Sequence, residues 1–274
     1  MQNDLPIYEL YAIRYAMRDA NRSEHFIGGD PHDSPMPMDY FVWLARCGDH
    51  NVLIDTGFTE VVAARRGRQF LHCPIDTLAA LGVAADTVQD VILTHLHYDH
   101  SGNFDRFANA SFHLQEKELQ FATGKYMQHP RMSYSFEVDD VCGLVRMNYK
   151  QRVMFHDGDD NLCPGITLHG TGGHSAGLQF VSVHTKRGWV VLASDAAHFY
   201  ENMDSGRPFT VAYHVGEMLE SFDRLCKVAP SRDHIIPGHD PLVMRLYPAV
   251  DGFEGRVAQL DVPPVKEPDA AGIS

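Results

Sequence analysis

Short apolar runs separated by turn residues set the pattern of the first half of the chain. Residues 41–45 and 51–54 are typical of strands, and a short Gly-Asp turn joins them. Residues 7–16 mix apolar and polar positions at near-strand period. They lead into a polar, Gly- and Pro-rich stretch over 19–37, which predicts a long loop. Residues 90–94 (DVILT) enter a His-rich turn, which indicates a buried strand that delivers side chains at its C-terminal end.

The second half repeats the pattern of strand followed by loop. Residues 166–169, 178–184, 189–193 and 234–236 are predicted strands. Helices are predicted over 74–81, where Pro74 and Asp76 open the helix and Gly82 ends it, over 116–122, and over the amphipathic stretch 216–228. Strands clustered in both halves with helices between them predict an α/β fold, with two mixed sheets packed face to face and helices outside.

Composition narrows the functional classes. The 274 residues are 44% hydrophobic and 22% charged, which suits a globular chain with a sizeable core, and no composition shift divides it. The net charge of −13, without a Lys/Arg cluster, argues against a nucleic-acid partner. No apolar run approaches the roughly 20 residues of a membrane span, and no secretory signal is visible. A cytoplasmic enzyme is expected, with five scattered, reduced cysteines: Cys47, Cys73, Cys142, Cys163 and Cys226.

The segment Thr94-His95-Leu96-His97-Tyr98-Asp99-His100 carries the strongest chemical signal. His95 and His97 are two positions apart, so in extended backbone they project to one side. Asp99 and His100 fall in the turn that follows, where they can bind a second metal ion. Imidazole nitrogen together with carboxylate oxygen suits zinc and related first-row cations. A chance cluster on a polar loop is the alternative, but the position behind a hydrophobic strand disfavours it.

Further metal-binding residue types follow three downstream strands. Gly172-Gly173-His174 comes after the strand ending near 169, and its glycines would let the backbone approach a metal closely. Asp195 follows the apolar run WVVLA, and His239 follows the short strand at 234–236. Each signal is weak alone, but their order predicts one site built from several strand ends.

The order HxHxDH, then His, Asp and His, preceded by Ile54-Asp55-Thr56-Gly57, resembles the metallo-β-lactamase superfamily over about residues 40–245. The resemblance implies a single domain over 1–274 with an αββα metallo-β-lactamase sandwich. The N-terminal strand and loop would occupy 1–39, and a flexible tail 262–274. It also implies two divalent metal ions, with Zn²⁺ expected first and Mn, Fe or Co accepted by the same ligand types. The implied ligands are His95, His97 and His174 for one ion, Asp99, His100 and His239 for the other, Asp195 as the bridge, and Asp55 as a carboxylate that orients ligands.

The ligand set favours hydrolysis over the other chemistries of this superfamily. His97 stands where redox di-iron members carry Glu, and Asp195 stands where true β-lactamases carry Cys or Ser. The segments IDTGF, ILTHLHYDHSGN, GGHSAG and SDAAHF resemble the N-acyl-homoserine lactonases, the quorum-quenching branch. A thioesterase of the glyoxalase II kind is the alternative, although such enzymes usually carry a longer C-terminal helical extension. A ring amide hydrolase and a non-catalytic binding module are less favoured.

The expected reaction is the opening of an acyl-homoserine lactone or a small catabolic lactone. A hydroxide shared by the two ions would attack the ester carbonyl, and Asp99 would shuttle a proton to the leaving alkoxide. Lactonases of this branch commonly carry Tyr three residues after the bridging Asp. This chain has His198 there, which is expected to donate a hydrogen bond to the substrate carbonyl, or else only to fill space.

The sequence says less about the substrate pocket than about the metal ligands. The Met- and aromatic-rich insert over 126–149 is a candidate wall, because flexible Met side chains accommodate varied shapes. Ordinary core packing or a dimer contact is the alternative, and the resemblance favours a homodimer. The loop over 19–37 is expected to fold over the same mouth or to bind a second subunit. The candidate pocket residues are Met132, Tyr134, Phe136 and Met147.

Overall fold

Two β-sheets face each other in the computed structural model, which describes residues 5–265. Within that range the first sheet has eight strands, in the order β13-β1-β2-β3-β5-β6-β7, with β4 paired to β1. The second has five, in the order β12-β11-β10-β9-β8. The strands of the first sheet are β1 (Glu9–Arg18), β2 (Met38–Cys47), β3 (His50–Ile54), β4 (Gln69–Phe70), β5 (Asp90–Ile92), β6 (Ser111–Gln115), β7 (Val153–His156) and β13 (Val257–Gln259). Those of the second are β8 (Asp160–Cys163), β9 (Ile166–Gly170), β10 (Gln179–Thr185), β11 (Gly188–Ser194) and β12 (Ile235–Pro237).

Both sheets are mixed. Pairing from β3 through β5 and β6 to β7 is parallel, whereas β13, β1, β2 and β3 pair antiparallel. In the second sheet β8 to β11 are antiparallel, and only the β11–β12 pair is parallel among the described strands. The parallel strands β3 and β5 therefore end at the same edge, and β11 and β12 also end together.

Helices cover the outer face of each sheet, so the central strands are buried on both sides. Along β2, Phe41 and Trp43 point into the core between the sheets, while Tyr40 and Val42 pack in the cluster on the other face. This explains why β2 is a continuous apolar run instead of an alternating one. The helices are α1 (Glu60–Arg66), α2 (Pro74–Ala80), α3 (Glu116–Ala122), α4 (Pro130–Ser133), α5 (Val138–Tyr149), α6 (Tyr200–Ser205), α7 (Val215–Val228) and α8 (Leu242–Leu246).

The predicted αββα sandwich is confirmed, and the predicted strands and helices match the observed ones to within a few residues. Ten of the strands and helices named above were not predicted: strands β4, β6, β7, β8 and β13, and helices α1, α4, α5, α6 and α8. Helix α1 owes its start to Thr59, whose hydroxyl accepts a hydrogen bond from Val62 N, and its end to Gly67 at φ 65°. Both signals are local and easily overlooked in a helix this short.

None of the helices over residues 5–265 combines the length and the apolar character that a membrane-spanning helix needs. The tail predicted over 262–274 falls mostly on residues 266–274, which lie outside the described residues. At its described start, Val265 N donates to Leu246 O at 2.6 Å.

Candidate metal centre

Five strands from the two sheets end at one place. Asp55 follows β3, the His95–His100 segment follows β5, and His174 follows β9. Asp195 and His239 come directly after β11 and β12. The facing sheets are also tied at this edge, because Gln179 N donates to Thr94 O at 3.0 Å. Side chains that are distant in sequence therefore converge at one end of the sandwich.

The predicted metal ligands lie together and are all buried. Their ligand atoms form two groups, in each of which all atoms lie within 4.8 Å of one another. The first group is His95, His97, His174 and Asp195, and the second is Asp99, His100 and His239.

The Asp195 carboxylate stands between the two groups. Its Oδ2 lies 3.0 Å from His174 Nε2 and 3.7 Å from His95 Nε2. Its Oδ1 lies 2.9 Å from His239 Nε2 and 3.2 Å from His100 Nε2. One oxygen thus faces each group, which is the arrangement that a bridging carboxylate requires.

Hydrogen bonds on the outer side of three rings fix which nitrogen points inward. His100 Nδ1 donates to Asp55 Oδ2 at 2.7 Å. His174 Nδ1 donates to the Val211 carbonyl at 2.9 Å, and His239 Nδ1 donates to the Asp39 carbonyl at 2.8 Å. With Nδ1 engaged in this way, each ring can direct Nε2 toward the centre, as metal-binding imidazoles require.

The donor set fits divalent cations. His95 Nε2 and His100 Nε2 are buried without a hydrogen-bond partner among the described residues, although buried nitrogens normally have one. Burial and the neighbouring imidazoles hold the pKa of His95 well below its usual range, so the ring is neutral. Burial opposes ionisation of Asp195, but the imidazoles of His198, His239 and His100 outweigh it and hold its pKa well below its usual range. Imidazole nitrogens around a shared carboxylate are ligand types that suit a two-ion site.

His198 is directed at Asp195 rather than at open space. Its Nε2 lies 3.0 Å from Asp195 Oδ2, and its ring stacks on Phe209 with the centroids 3.6 Å apart. Asp195, His198 and His239 also form a group that could hold a metal ion. This geometry favours a role for His198 beside the metal centre over the expected hydrogen bond to a substrate carbonyl.

Two cavities open beside the centre. One, of about 290 Å³, is lined by Asp99, Asp195 and His198. The other, of about 450 Å³, shares His97 and His174 with it and is lined by apolar and aromatic side chains of the insert. The latter include three of the predicted pocket residues, Met132, Tyr134 and Phe136.

Met147, the fourth predicted pocket residue, lines neither of these cavities. Helix α5 packs it against the hydrophobic core, and its Sδ lies 3.6 Å from Arg152 Nη1. The expectation that Met147 forms part of the pocket wall is therefore wrong. Met147 packs in the core, because the helical turn of α5 directs this position inward.

The glycines before His174 serve a different purpose from the expected one. Gly172 and Gly173 both have positive φ, 73° and 93°. A Cβ on Gly173 would lie 2.7 Å from Met218 N on α7. They let the loop turn and pack under α7, instead of letting backbone approach a metal.

Glu118 on α3 is a residue of the site that the sequence did not reveal. It is fully buried, its Oε1 accepts a hydrogen bond from Leu96 N at 3.0 Å, and its Oε2 accepts one from Gly177 N at 2.8 Å. The carboxylate thus joins the loop that carries His95 and the loop that carries His174. No local pattern in the sequence connects Glu118 with Leu96 and Gly177, which lie 22 and 59 residues away.

The loop over 19–37 packs beside the same mouth. Glu24 lines the smaller cavity, and His25 lies against Phe199 and Phe209 with ring centroids 4.5 and 5.7 Å away. Phe209 is the ring on which His198 stacks, so the loop supports one wall of the centre.

Comparison with known proteins agrees with this geometry. The family described as metallo-beta-lactamase superfamily matches residues 37–239. The chain belongs to the metallo-β-lactamase superfamily. An N-acyl homoserine lactonase of Bacillus thuringiensis is 32% identical over 217 residues, covering 73% of this chain and 81% of the relative. The N-acyl homoserine lactonase AttM of Rhizobium radiobacter is 26% identical over 239 residues, covering 78% and 85%. The crystal structure of a quorum-quenching N-acyl homoserine lactone lactonase superposes with a TM-score of 0.74 at 23% identity, over 87% of this chain and 95% of that one, and shows that the superfamily fold is shared.

Proposed function

We propose that the protein is a dinuclear metal-dependent hydrolase that opens the ring of a lactone, either an acyl-homoserine lactone or a small catabolic lactone. The observation that carries the proposal is the Asp195 carboxylate, with one oxygen toward each buried histidine group. The N-acyl homoserine lactonases among the relatives support the lactone as the substrate class.

The residues of the centre would hold the two metal ions in two groups. His95, His97 and His174 would hold one ion, Asp99, His100 and His239 the other, and Asp195 both. When bound, two such cations lower the pKa of a water molecule toward about 7 and polarise the ester carbonyl.

Asp99 is the residue placed to move a proton. Its carboxylate lines the cavity, and its Oδ2 lies 3.8 Å from His239 Nε2, so it can both bind an ion and face the substrate. It would take a proton and deliver it to the leaving alkoxide oxygen. His198 would hold the Asp195 carboxylate in place, because its ring is fixed between Asp195 and Phe209.

Metal identity, compartment and assembly follow as parts of the same proposal. Zinc is the proposed metal, because nitrogen-rich His/Asp sites suit it. All five cysteines are free thiols, which suits the proposed cytoplasmic location. By resemblance, the proposed assembly is a homodimer. With an acyl-homoserine lactone as the substrate, the biological role would be quorum quenching.

Proton release from the zinc-loaded protein, followed with a pH indicator, tests the activity. The panel holds acyl-homoserine lactones of several chain lengths, γ- and δ-lactones, a glutathione thioester and a β-lactam. Turnover confined to lactones is the expected result. Turnover of the thioester alone would change the assignment to a thioesterase of the glyoxalase II kind. If two ions are bound and no substrate of the panel is hydrolysed, the proposal is contradicted.

An Asp195→Ala variant checks the role of the bridge. It should lose bound metal and nearly all activity, because both histidine groups lose their shared anion. An Asp195→Ala protein that keeps both ions and full turnover would contradict this assignment.

A further inference from the structure

A half-buried arginine lines the same cavity as the reacting groups. Arg68 shares the cavity of about 290 Å³ with Asp99, Asp195 and His198. It lies between α1 and β4, directly after Gly67 turns the chain at φ 65°. None of the steps proposed above uses it.

Two hydrogen bonds hold the guanidinium in a fixed orientation. Arg68 Nε donates to the Tyr98 hydroxyl at 2.9 Å, and Nη1 donates to the Arg66 carbonyl at 2.8 Å. The Tyr98 hydroxyl in turn lies 3.3 Å from that of Tyr40, in the buried core. The third nitrogen, Nη2, has no hydrogen-bond partner within residues 5–265. Nη2 of this positioned guanidinium is therefore free to donate to a ligand.

Arg68 also lacks an acidic partner, unlike the arginines around it. No carboxylate of the described part of the chain lies within 4 Å of its guanidinium nitrogens. By contrast, Arg65 and Arg66 on α1 both form ion pairs with Glu137. Of the other charged groups at this mouth, Arg18 and Glu24 pair with each other at 3.5 Å.

The remaining carboxylates of the cavity belong to the metal centre. Asp99 and Asp195 face the histidine groups at the distances given above, where bound cations would neutralise them. Arg68 is therefore a positive charge without an ion-pair partner among the described residues, at the entrance of the site. A neutral acyl-homoserine lactone offers Arg68 only carbonyl oxygens, whereas a carboxylate accepts a charge-assisted hydrogen bond, which is roughly twice as strong as a neutral one.

We propose that the substrate carries a carboxylate, which the guanidinium of Arg68 binds while the scissile ester lies against Asp99 and the metal centre. The inference rests on the proposed lactonase function and narrows its substrate class to anionic lactones. The apolar cavity beside it, with Met132 and Phe136 in its wall, takes the uncharged body of such a substrate.

Binding of unreactive analogues tests the inference without needing turnover. The probes are ring ketones that replace the lactone oxygen by CH₂ and carry a carboxylate directly or on a one- or two-carbon arm. The primary amide of each is the neutral match. Calorimetry with the zinc-loaded protein compares the wild type with Arg68→Gln, Arg68→Lys and Arg65→Gln, the last being the matched control outside the cavity.

The wild type should bind at least one carboxylate about 10- to 100-fold more tightly than its amide, as expected for a charge-assisted hydrogen bond. Arg68→Gln should abolish this preference and leave amide binding unchanged, Arg68→Lys should restore part of it, and Arg65→Gln should keep all of it. Equal binding of every acid and amide by the wild type would overturn the inference. So would a preference that survives in Arg68→Gln, because another group, such as the metal ions or Arg18, would then be binding the carboxylate.

The same panel separates this inference from the proposed function. If the analogues show the Arg68-dependent preference but no lactone, with or without a carboxylate, is hydrolysed, the anion site stands and the lactonase proposal fails. If neutral lactones are hydrolysed as well as carboxylated ones and Arg68→Gln changes neither, the lactonase proposal stands and the anion site fails.

Discussion

Replacing Asp55 by Asn perturbs the metal centre without changing the shape of a side chain. Asp55 is fully buried and accepts three hydrogen bonds, from Thr94 N at 2.7 Å, from the Thr94 hydroxyl at 2.8 Å, and from His100 Nδ1 at 2.7 Å. An amide can accept at one position only. In either orientation of the Asn, its NH₂ group faces at least one of these donors, so a buried donor loses its partner.

The expected cost follows from those contacts. Loss of one buried hydrogen bond to a charged group is worth about 1.5–3 kcal/mol. If that energy is used to hold His100 in its metal-binding tautomer, zinc should bind roughly 10- to 100-fold more weakly, at 1.4 kcal/mol per tenfold. Loss of an outer carboxylate of a metal-binding histidine has about this effect.

Competition with a chromophoric zinc chelator measures the affinity of each ion. We expect the ion held by His100 to weaken in Asp55→Asn more than the ion held by His95. Asp261→Asn is the matched control, because Asp261 is also buried but pairs with Lys186 at 3.2 Å. Unchanged affinity for both ions in a folded Asp55→Asn protein would refute the assigned role of Asp55.

Three further perturbations have defined outcomes. Glu118→Gln should lower the Tm of the metal-free protein by an amount equivalent to about 1–3 kcal/mol, because an amide cannot accept from both Leu96 N and Gly177 N; an unchanged Tm in calorimetry would contradict this. Burial lowers the pKa of His25 from 6.5 to about 4. The unfolded chain therefore binds more protons between these values, and stability should fall by up to about 3 kcal/mol as the pH drops through that window. Denaturant unfolding should show that His25→Gln removes this part of the pH dependence, and an identical dependence in the variant would count against it. Tyr134→Ala should raise KM for bulky substrates more than for small ones, because Tyr134 lines both cavities; a uniform effect across substrate sizes would indicate a purely structural role.

The sequence was sufficient to predict the sandwich and the strand ends at which candidate ligands lie, because both depend on local order. A ligand that directly follows a strand must lie at the edge where that strand ends, so His95, Asp195 and His239 were predictable one by one. Their grouping came from resemblance to the superfamily, and the distances around Asp195 agree with it.

Other features depend on contacts between distant segments and left no local signal. Glu118 lies 22 residues from Leu96 and 59 from Gly177, the two residues whose loops it joins. Arg68 differs from Arg65 and Arg66 only in what the fold places beside it. Met147 belongs to the same Met- and aromatic-rich stretch as Met132, but the turn of α5 directs it into the core. Composition identified the stretch, and only the backbone path separates its cavity residues from its core residues.

Zinc titration of the metal-free protein, with lactone hydrolysis followed at each step, tests the central claim most directly. The two histidine groups joined by Asp195 predict that activity rises with added zinc and reaches its plateau at two ions per chain. A plateau at one ion per chain, or full activity with a chelator present, would contradict a dinuclear hydrolase.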